Sequence, residues 1–512
     1  MSGNRMYQWS ITRFMCHLRG TKLAGQNKQN DDSIKLTLVQ ALRQGRNPCR
    51  SPKIRLPSAR RCTALARSAQ KSSTASLQPQ RSCMDAPVLT VRRVNWQRWL
   101  LPAVLVVFSA VSVQYTLKAL QHRSAFVRWR EQILQLETGR IYERYNYPNP
   151  PIMALILRPL AELPPVAGAL LWFYAKAFMA VCAFAMTFRM LERDGATFPL
   201  WAKGLAVLLC MRPLIGDLQH GNVNILILFL VMGALYAHSC QCDFLCGLLL
   251  ALAISCKVTP LLFLPYFLWK RQWRVLVGSA IGLVLFLLLI PGLFLGFREN
   301  LDQLAGWSRA MLLPFVKDGF VTTEHHNQSL PGVIYRLVTH SPSFVSYPNG
   351  ASTPAEYHNL ADIGTLAAKW IVRAGQMLFA LLVILTCRSR ITPRGGWRQG
   401  AEFSLVLVGM LIFSERTWKH HCVTLMLPFA VLAYYMANEV HSLRGRVILG
   451  LVLAAVIGLM LTASGLLPER AADIAMVYGP YLWAFLLLVA ALAFALVYGA
   501  KRSTIQTPSS RR

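Results

Sequence analysis

Long apolar runs, nearly free of charge, constrain this chain more than any other feature. Several approach the roughly 20 residues that a helix needs to cross about 30 Å of hydrocarbon. The runs are Val104–Leu117, Val166–Phe188, Val223–Ala237, Val275–Leu295, Leu378–Thr386, Val447–Leu466 and Leu482–Tyr498. With 54% hydrophobic residues, they predict an all-α, multi-pass integral membrane protein. We expect about 12 membrane segments between residues 84 and 500, with loops and interfacial helices on the outer face.

The net charge of +32 also fits a membrane protein. Residues 1–83 carry 16 Lys and Arg against two acids, and their polar, aperiodic composition predicts disorder. Met84 is a second possible start of translation, so the sequence leaves open whether residues 1–83 are translated. The other cations cluster in short loops, such as those with Arg271 and Arg390, and in a basic tail at residues 501–512. The positive-inside rule places these loops and both termini in the cytoplasm. This pattern predicts a protein of the plasma (inner) membrane and no nucleic-acid partner.

Polar clusters recur at the ends of the apolar runs, and the predicted topology places all of them on the outer face. They are Tyr145–Pro151, Asp217–Asn224, Lys257–Pro260, Glu324–Ser329 and Glu415–His421. Polar groups beside hydrocarbon are costly, so such clusters indicate a functional site. A one-sided site favours an enzyme. The alternative is a transporter or flippase for a lipid-linked or anionic substrate, which would carry polar groups at mid-membrane and on both faces.

Two of these clusters suggest specific local structures. Asn222 comes just before an apolar helix, where it suits an N-cap, and a helix N-terminus also suits a phosphate. The segment that precedes it, with Arg212, Asp217 and His220, is predicted to be an outer loop. Lys257 interrupts the apolar stretch 244–269, which we interpret as two short helices meeting at Lys257–Pro260. A single kinked helix is the alternative. Lys257 itself either snorkels or holds an anionic head group.

The sequence does not point to a metal or a cofactor. Cys240, Cys242 and Cys246 lie close together but lack further ligands at standard spacing. The neighbouring histidines of each pair, His325–His326 and His420–His421, would point in different directions on a helix. We therefore predict no metal and no cofactor.

The order of the polar motifs resembles glycosyltransferase family 87, a group of polyprenol-phosphate-dependent hexosyltransferases of the GT-C superfamily. The likeness covers roughly residues 97–440. It rests on Tyr-x-Tyr-Pro-x-Pro-Pro from Tyr145, Gly-Asn-x-Asn from Gly221, Lys-x-x-Pro from Lys257, Asn-Gln-Ser-Leu from Asn327 with Gly332 and Arg336, and Ser-Glu-Arg-x-Trp-x-His-His from Ser414. The resemblance implies transfer of a hexose, with mannose as one option, from a polyprenyl-phosphate donor. The acceptor would be a hydroxyl of a glycan or glycolipid at the outer face of the bilayer.

The resemblance also implies roles for individual residues. A carboxylate is needed to deprotonate the acceptor, and cations or helix N-termini to hold the departing phosphate. The superfamily's acid is expected near Ser124–Val127, where this chain has none. We predict Glu131 as the base, with Asp217 second and Glu415 third. Contacts to the donor phosphate or substrate are predicted for Asn222, Asn224, Lys257, Glu324, His325, Asn327, Arg416, His420 and His421.

Overall fold

The computed structural model describes residues 97–138, 141–144, 147–317, 319–346, 353–388 and 394–505. All of these residues belong to one compact unit, Arg92–Arg512. The predicted extension at residues 1–83, the motif residues Tyr145 and Asn146, Arg390, and residues 506–512 of the predicted tail lie outside the described ranges.

Helices form most of the described chain. The first are α1 (Gln97–Leu120), α2 (Ala125–Leu134), α3 (Ile141–Arg144), α4 (Pro151–Ala161), α5 (Pro165–Leu191), α6 (Leu200–His220), α7 (Asn224–Ser239), α8 (Asp243–Cys256), α9 (Phe263–Trp269), α10 (Trp273–Val284) and α11 (Ile290–Leu295). The later elements are α12 (Phe297–Trp307), α13 (Leu313–Val316), α14 (Leu330–Val338), β1 (Phe344–Ser346), β2 (Thr353–Glu356), α15 (Gly364–Thr386), α16 (Gly396–Ile412), α17 (Met426–Asn438), α18 (Leu443–Leu461), α19 (Glu469–Val477) and α20 (Pro480–Ile505). β1 and β2 form a two-stranded antiparallel sheet.

Six helical segments in the described ranges are long and apolar enough to cross a membrane. They are Pro165–Leu191, Trp273–Leu295, Gly364–Thr386, Lys419–Asn438, Leu443–Leu461 and Pro480–Tyr498. The bent pair α1–α2 would make a seventh. The helical, apolar architecture agrees with the prediction, but the count of about 12 segments is not confirmed. The difference arises because α7 and α8 have only 16 and 14 residues, and because α6 carries Lys203, Arg212 and Asp217.

Contacts at the helix termini define two ends of the bundle. At the site end, the C-terminal turn of α6 meets the start of α7, where Asn224 Nδ2 donates to Asp217 Oδ1 at 2.9 Å. At the opposite end, the segment before α16 meets the start of α8, where Arg394 Nη2 donates to Asp243 Oδ2 at 3.0 Å. Helices α5 and α7 start at the site end, whereas α6, α8 and α16 finish there.

Helices α8 and α9 form a hairpin whose tip lies at the site end. The backbone of Lys257 is extended and ends α8, and Pro260 follows in a short 3-10 segment. At the tip, Lys257 Nζ donates to Asn224 Oδ1. The end of α9 returns to the opposite end, where the ring of Phe267 lies 5.3 Å from that of His238. The predicted pair of short helices meeting at Lys257–Pro260 is confirmed, and the alternative of one kinked helix is wrong.

The predicted outer loop after Cys210 is wrong, because α6 continues to His220. Arg212, Asp217 and His220 therefore lie on a helix, and only Gly221–Val223 forms the turn to α7. The physical reason is charge pairing, since Lys176 Nζ lies 3.3 Å from Asp217 Oδ2 and both side chains are fully buried. A paired carboxylate can lie inside the bundle, where an unpaired one could not.

A layer of short elements lies over part of the site end. Helix α4 is amphipathic, because it buries Ile152 and Leu157 and exposes Ile156. Helix α12 contacts the same layer, because Gln303 Nε2 donates to the carbonyl of Leu136 at 3.0 Å. These contacts fix α4 and α12 beside the helices that form the site.

Candidate active site

A buried chain of polar side chains joins three helices at the site end. Lys176 Nζ on α5 donates to the carbonyl oxygen of Asp217 at 2.8 Å and lies close to its carboxylate. The other carboxylate oxygen accepts from Asn224 Nδ2, and Asn224 Oδ1 accepts from Lys257 Nζ at 2.7 Å. Sequence-predicted Asp217, Asn224 and Lys257 therefore come together, and Lys176 joins them.

Lys257 lies at a cavity of about 20 Å³. The cavity is bounded by the tip of the α8–α9 hairpin, the start of α7, the end of α16 and the 3-10 segment Lys419–Leu425 that precedes α17. Its lining residues are Asn224, Ile227, Lys257, Thr259, Met410, Leu411, Ser414, Thr417, His421 and Thr424. It thus combines an ammonium group, an imidazole and several hydroxyls, which are groups that bind oxyanions.

The two neighbouring histidines have different roles. His421 lines the cavity, and its Nδ1 accepts from the backbone amide of Trp418 at 3.3 Å. Its proton is therefore on Nε2. His420 instead stacks on His220, with ring centroids 4.4 Å apart, and its Nε2 lies 3.0 Å from Asn222 Nδ2. Asn222 is not the predicted N-cap, since Val223 precedes α7 and the Asn222 side chain bonds to that residue's own amide.

Glu415 and Arg416 lie beside the cavity, directly after its lining residue Ser414. Glu415 Oε1 accepts from Thr322 Oγ1 at 3.0 Å, and Arg416 Nη2 donates to the same hydroxyl at 2.8 Å. Within the described ranges, no side chain donates to Oε2 of Glu415. Its side chain is 30% exposed, so this carboxylate can reach a substrate.

Three buried polar atoms around this region have no hydrogen-bond partner in the part of the chain that the structure describes. They are the donors Arg416 Nε and Trp418 Nε1, and the ring nitrogen His220 Nδ1. Leaving such groups unpaired is costly. A ligand with several acceptor oxygens would relieve that cost.

The loop with Glu324, His325 and Asn327 braces the site from outside the cavity. Asn327 is fully buried and donates to the carbonyls of Thr322 and Glu415. The backbone carbonyl of Glu324 accepts from the buried Arg336. His325 stacks on Phe344 at 4.4 Å. Burial, together with the neighbouring His326, lowers the pKa of His325 to about 4. None of these three residues lines the cavity.

The first helix after α1 brings Ser124, and not an acid, against the site. Ser124 caps α2, and its hydroxyl lies 3.1 Å from that of Tyr115. Gly221 packs here with a φ of +77°, and a Cβ would lie 2.9 Å from Ser124 Oγ. Glu131 is exposed and lies two turns further along α2, about 10 Å along the helix axis. The structure thus places Glu415 beside the cavity, directly after its lining residue Ser414, and leaves Glu131 further away on α2.

Sequence reasoning did not identify Lys176, Thr322 or Thr417 as site residues. Lys176 had a detectable signal, because a single lysine in a 27-residue apolar helix marks a functional position by default. Thr322 and Thr417 carried no such signal, since threonine is common in loops. No group of three or more His, Cys, Asp or Glu that could hold a metal occurs among the residues described.

The profile of the family described as Glycosyltransferase family 87 matches residues 147–414. The match is more than half of the chain and includes Asp217, Asn224 and Lys257. This chain belongs to glycosyltransferase family 87, as the order of its motifs predicted.

Two curated proteins of Mycolicibacterium smegmatis are similar to this chain. One is a polyprenol-phosphate-mannose-dependent alpha-(1-2)-phosphatidylinositol mannoside mannosyltransferase, 26% identical over 54% of this chain and 57% of the relative. The other is a polyprenol-phosphate-mannose-dependent alpha-(1-2)-phosphatidylinositol pentamannoside mannosyltransferase, 28% identical over 59% of this chain and 63% of the relative. The chain thus spans about three-fifths of the length of each relative.

Among solved structures, apo ArnT from Cupriavidus metallidurans covers 79% of each chain at 13% identity, with a TM-score of 0.38. Likeness at that score supports no inference about function.

Proposed function

We propose that this protein is a membrane glycosyltransferase that moves a hexose from a polyprenyl-phosphate donor to an acceptor hydroxyl. Family membership and the names of both relatives support a lipid-phosphate donor, and those names favour mannose as the sugar. A glycolipid acceptor is favoured for the same reason, with another glycan as the alternative. The bilayer itself supplies the donor.

The observation that carries this proposal is the charge balance at the cavity. Lys176 pairs with the carboxylate of Asp217, whereas Lys257 donates to the neutral amide of Asn224, so this chain of groups keeps one positive charge in excess. A buried charge without a counter-ion is costly. A phosphate oxygen in the cavity would balance it, with His421 Nε2–H and the orphan donor Arg416 Nε as further contacts.

We assign the general base to Glu415. Its free Oε2 would accept the proton of the acceptor hydroxyl. As that proton leaves, the hydroxyl oxygen of the acceptor attacks C1 of the hexose. The C1–O bond to the phosphate breaks, and its electron pair leaves with polyprenyl phosphate. Lys257 would stabilise the negative charge that develops on the leaving group. Asp217 is a poor candidate, because its carboxylate is fully buried and accepts from Asn224 beside Lys176. Glu131 would have to reach the site from α2.

We infer that the site end faces the outside of the plasma membrane and that both termini are cytoplasmic. The Lys and Arg loops support this orientation, since those of Arg271 and Arg394 lie at the opposite end. Cysteine substituted at position 415 should therefore react with an impermeant reagent in intact cells, and cysteine at position 271 should not.

The proposed activity is tested with purified protein in nanodiscs. Polyprenyl phosphate carrying a radiolabelled hexose is offered together with a membrane lipid extract as the acceptor source, and the corresponding nucleotide sugar is offered in parallel. We expect label to pass from the polyprenyl-phosphate donor to extract lipid, without added metal. Transfer from the nucleotide sugar alone would contradict the proposal. So would movement of the intact lipid-linked sugar across vesicles without transfer, which a flippase would show.

A further inference from the structure

We propose that Lys176 and Asp217 are positioning residues, whose ion pair orients the Asn224 amide so that Lys257 presents its ammonium group to the cavity. This inference rests on the proposed function, because it explains how the cation of that site is held. Neither residue would touch the substrate, since both side chains are fully buried and neither lines the cavity.

The orientation of Asn224 follows from the hydrogen-bonding capacity of its neighbours. An ionised carboxylate only accepts hydrogen bonds, and an ammonium group only donates them. The Asn224 side chain lies between the two, 2.9 Å from Asp217 Oδ1 and 2.7 Å from Lys257 Nζ. The amide must therefore turn its NH₂ toward Asp217 and its oxygen toward Lys257. In the flipped orientation, the amide would lose both hydrogen bonds.

Lys176 is needed because a carboxylate buried without a cation is costly. Lys176 Nζ lies 3.3 Å from the Asp217 carboxylate and donates to the Asp217 carbonyl at 2.8 Å. These contacts hold the carboxylate where its other oxygen accepts from the NH₂ group of Asn224. The Lys176–Asp217 pair thus sets the orientation of one amide and, through it, the place of one ammonium group.

The position of Lys257 depends on this arrangement because the residue lies in a break between helices. Its backbone is extended, and it belongs neither to α8 nor to the 3-10 segment after it. Among the described residues, Asn224 is the hydrogen-bond acceptor of its ammonium group. Without that acceptor, the flexible side chain is free to leave the cavity.

The test compares donor and acceptor kinetics in three proteins. They are Asp217→Asn, the double variant Lys176→Met with Asp217→Leu, and a matched double variant at the opposite end, Lys270→Met with Glu402→Leu. The first two should raise the donor KM about 10- to 100-fold, in line with outer partners of other binding groups, and leave the acceptor KM unchanged. The opposite-end variant should keep the wild-type donor KM.

A purely structural role makes a different prediction. Replacing both members of a buried pair with apolar residues often restores stability, so a structural pair would recover full activity in the double variant. A wild-type donor KM in either the Asp217→Asn protein or the Lys176 and Asp217 double variant would overturn the inference. An equal rise in the opposite-end variant would overturn it as well.

The wild-type protein in the same assay separates this inference from the proposed function. If wild type transfers no hexose from the polyprenyl-phosphate donor, the proposed function fails, whatever the variants do. The positioning role is then decided by an experimental structure of the Lys176 and Asp217 double variant. We expect Lys257 Nζ to have left Asn224 Oδ1 in that structure, and a retained hydrogen bond would contradict the inference.

Discussion

Both ends of the helix bundle bury charged side chains, but they balance those charges differently. At the opposite end, Asp243 pairs with Arg394, and Glu402 pairs with Lys270 at 2.7 Å. Each acid there has one cationic partner, and neutral donors complete the shell, as when Tyr266 donates to Glu402. This network is closed and needs no ligand.

The site end lacks this balance. The buried Lys176 and the half-buried Lys257 lie beside a single carboxylate, that of Asp217, and three buried polar atoms nearby have no partner among the residues described. Burying charged and polar groups without full pairing destabilises the fold, so such groups are typical of a site that binds a ligand. The site end therefore differs from the opposite end in its excess of cations over acids, and not in the number of its buried charges.

The largest effect is expected at the proposed base. Glu415→Gln keeps the bond from Thr322 but cannot accept a proton. We expect kcat to fall by about 10² to 10⁴-fold, the usual contribution of general base catalysis, with donor binding unchanged. Single-turnover transfer with saturating donor measures this. Glu131→Gln is the control, because the sequence favoured Glu131 as the base. If Glu131→Gln is inactive and Glu415→Gln is active, the base lies on α2 and this assignment is wrong.

The same substitution at both ends provides the sharpest contrast. Lys257→Met should lower kcat/KM for the donor by about 10² to 10³-fold, because one preorganised charge is worth roughly 3–4 kcal/mol in the transition state. Lys270→Met removes an ammonium group from the closed network. It should reduce thermal stability and leave activity per folded molecule near wild type. Equal losses of activity in the two variants would remove the distinction between the ends.

Breaking the closed network should affect stability and not chemistry. Asp243→Asn leaves Arg394 without its carboxylate, and removing one partner of a buried pair costs on the order of 3 kcal/mol. Chemical denaturation of the detergent-solubilised protein measures the loss. Glu439→Gln is the matched control at the same end, because the Glu439 side chain has no partner among the described residues. A change in donor KM in Asp243→Asn would mean that the two ends are coupled.

The smallest effect concerns pH and the loop that braces the site. The pKa of His325 is about 4 in the folded protein, below the usual value of about 6.5. Between these values the unfolded chain binds a proton that the folded protein does not, so stability falls as pH drops from about 6.5 to about 4. His325→Gln should flatten that decline in thermal midpoint. His340→Gln, at an exposed histidine, should leave it unchanged, and an equal flattening there would contradict the assignment.

The sequence predicted best those features that depend on local pattern. Apolar length predicted α5, and an interrupted apolar run with Lys257 and Pro260 predicted the hairpin. The motifs that begin at Gly221 and Ser414 indicated the family, and each contains residues that line the cavity. Each of these signals lies within a few neighbouring residues, so no tertiary contact was needed to read it.

Features that depend on distant partners could not be predicted. Asp217 looked like a loop residue, because its partner Lys176 is 41 residues earlier in the chain. The loop of Arg390 was read as a topology signal, although Arg394, four residues further on, pairs with Asp243 across 151 residues. The order of preference between Glu131 and Glu415 also depends on distant contacts, because Glu131 is exposed on α2 and Glu415 directly follows the cavity-lining Ser414. The balance of cations and acids at each end could be counted only once the structure showed these pairs.

The most direct test of the account is the binding of polyprenyl phosphate, the proposed leaving group, to three proteins in nanodiscs. They are wild type, Lys257→Met and Lys270→Met, and fluorescence or calorimetric titration gives the dissociation constants. We expect wild type and Lys270→Met to bind alike, and Lys257→Met to bind at least about 10-fold more weakly, a difference of about 1.4 kcal/mol. Equal binding by all three would contradict the claim that the excess charge at the site end holds the donor phosphate.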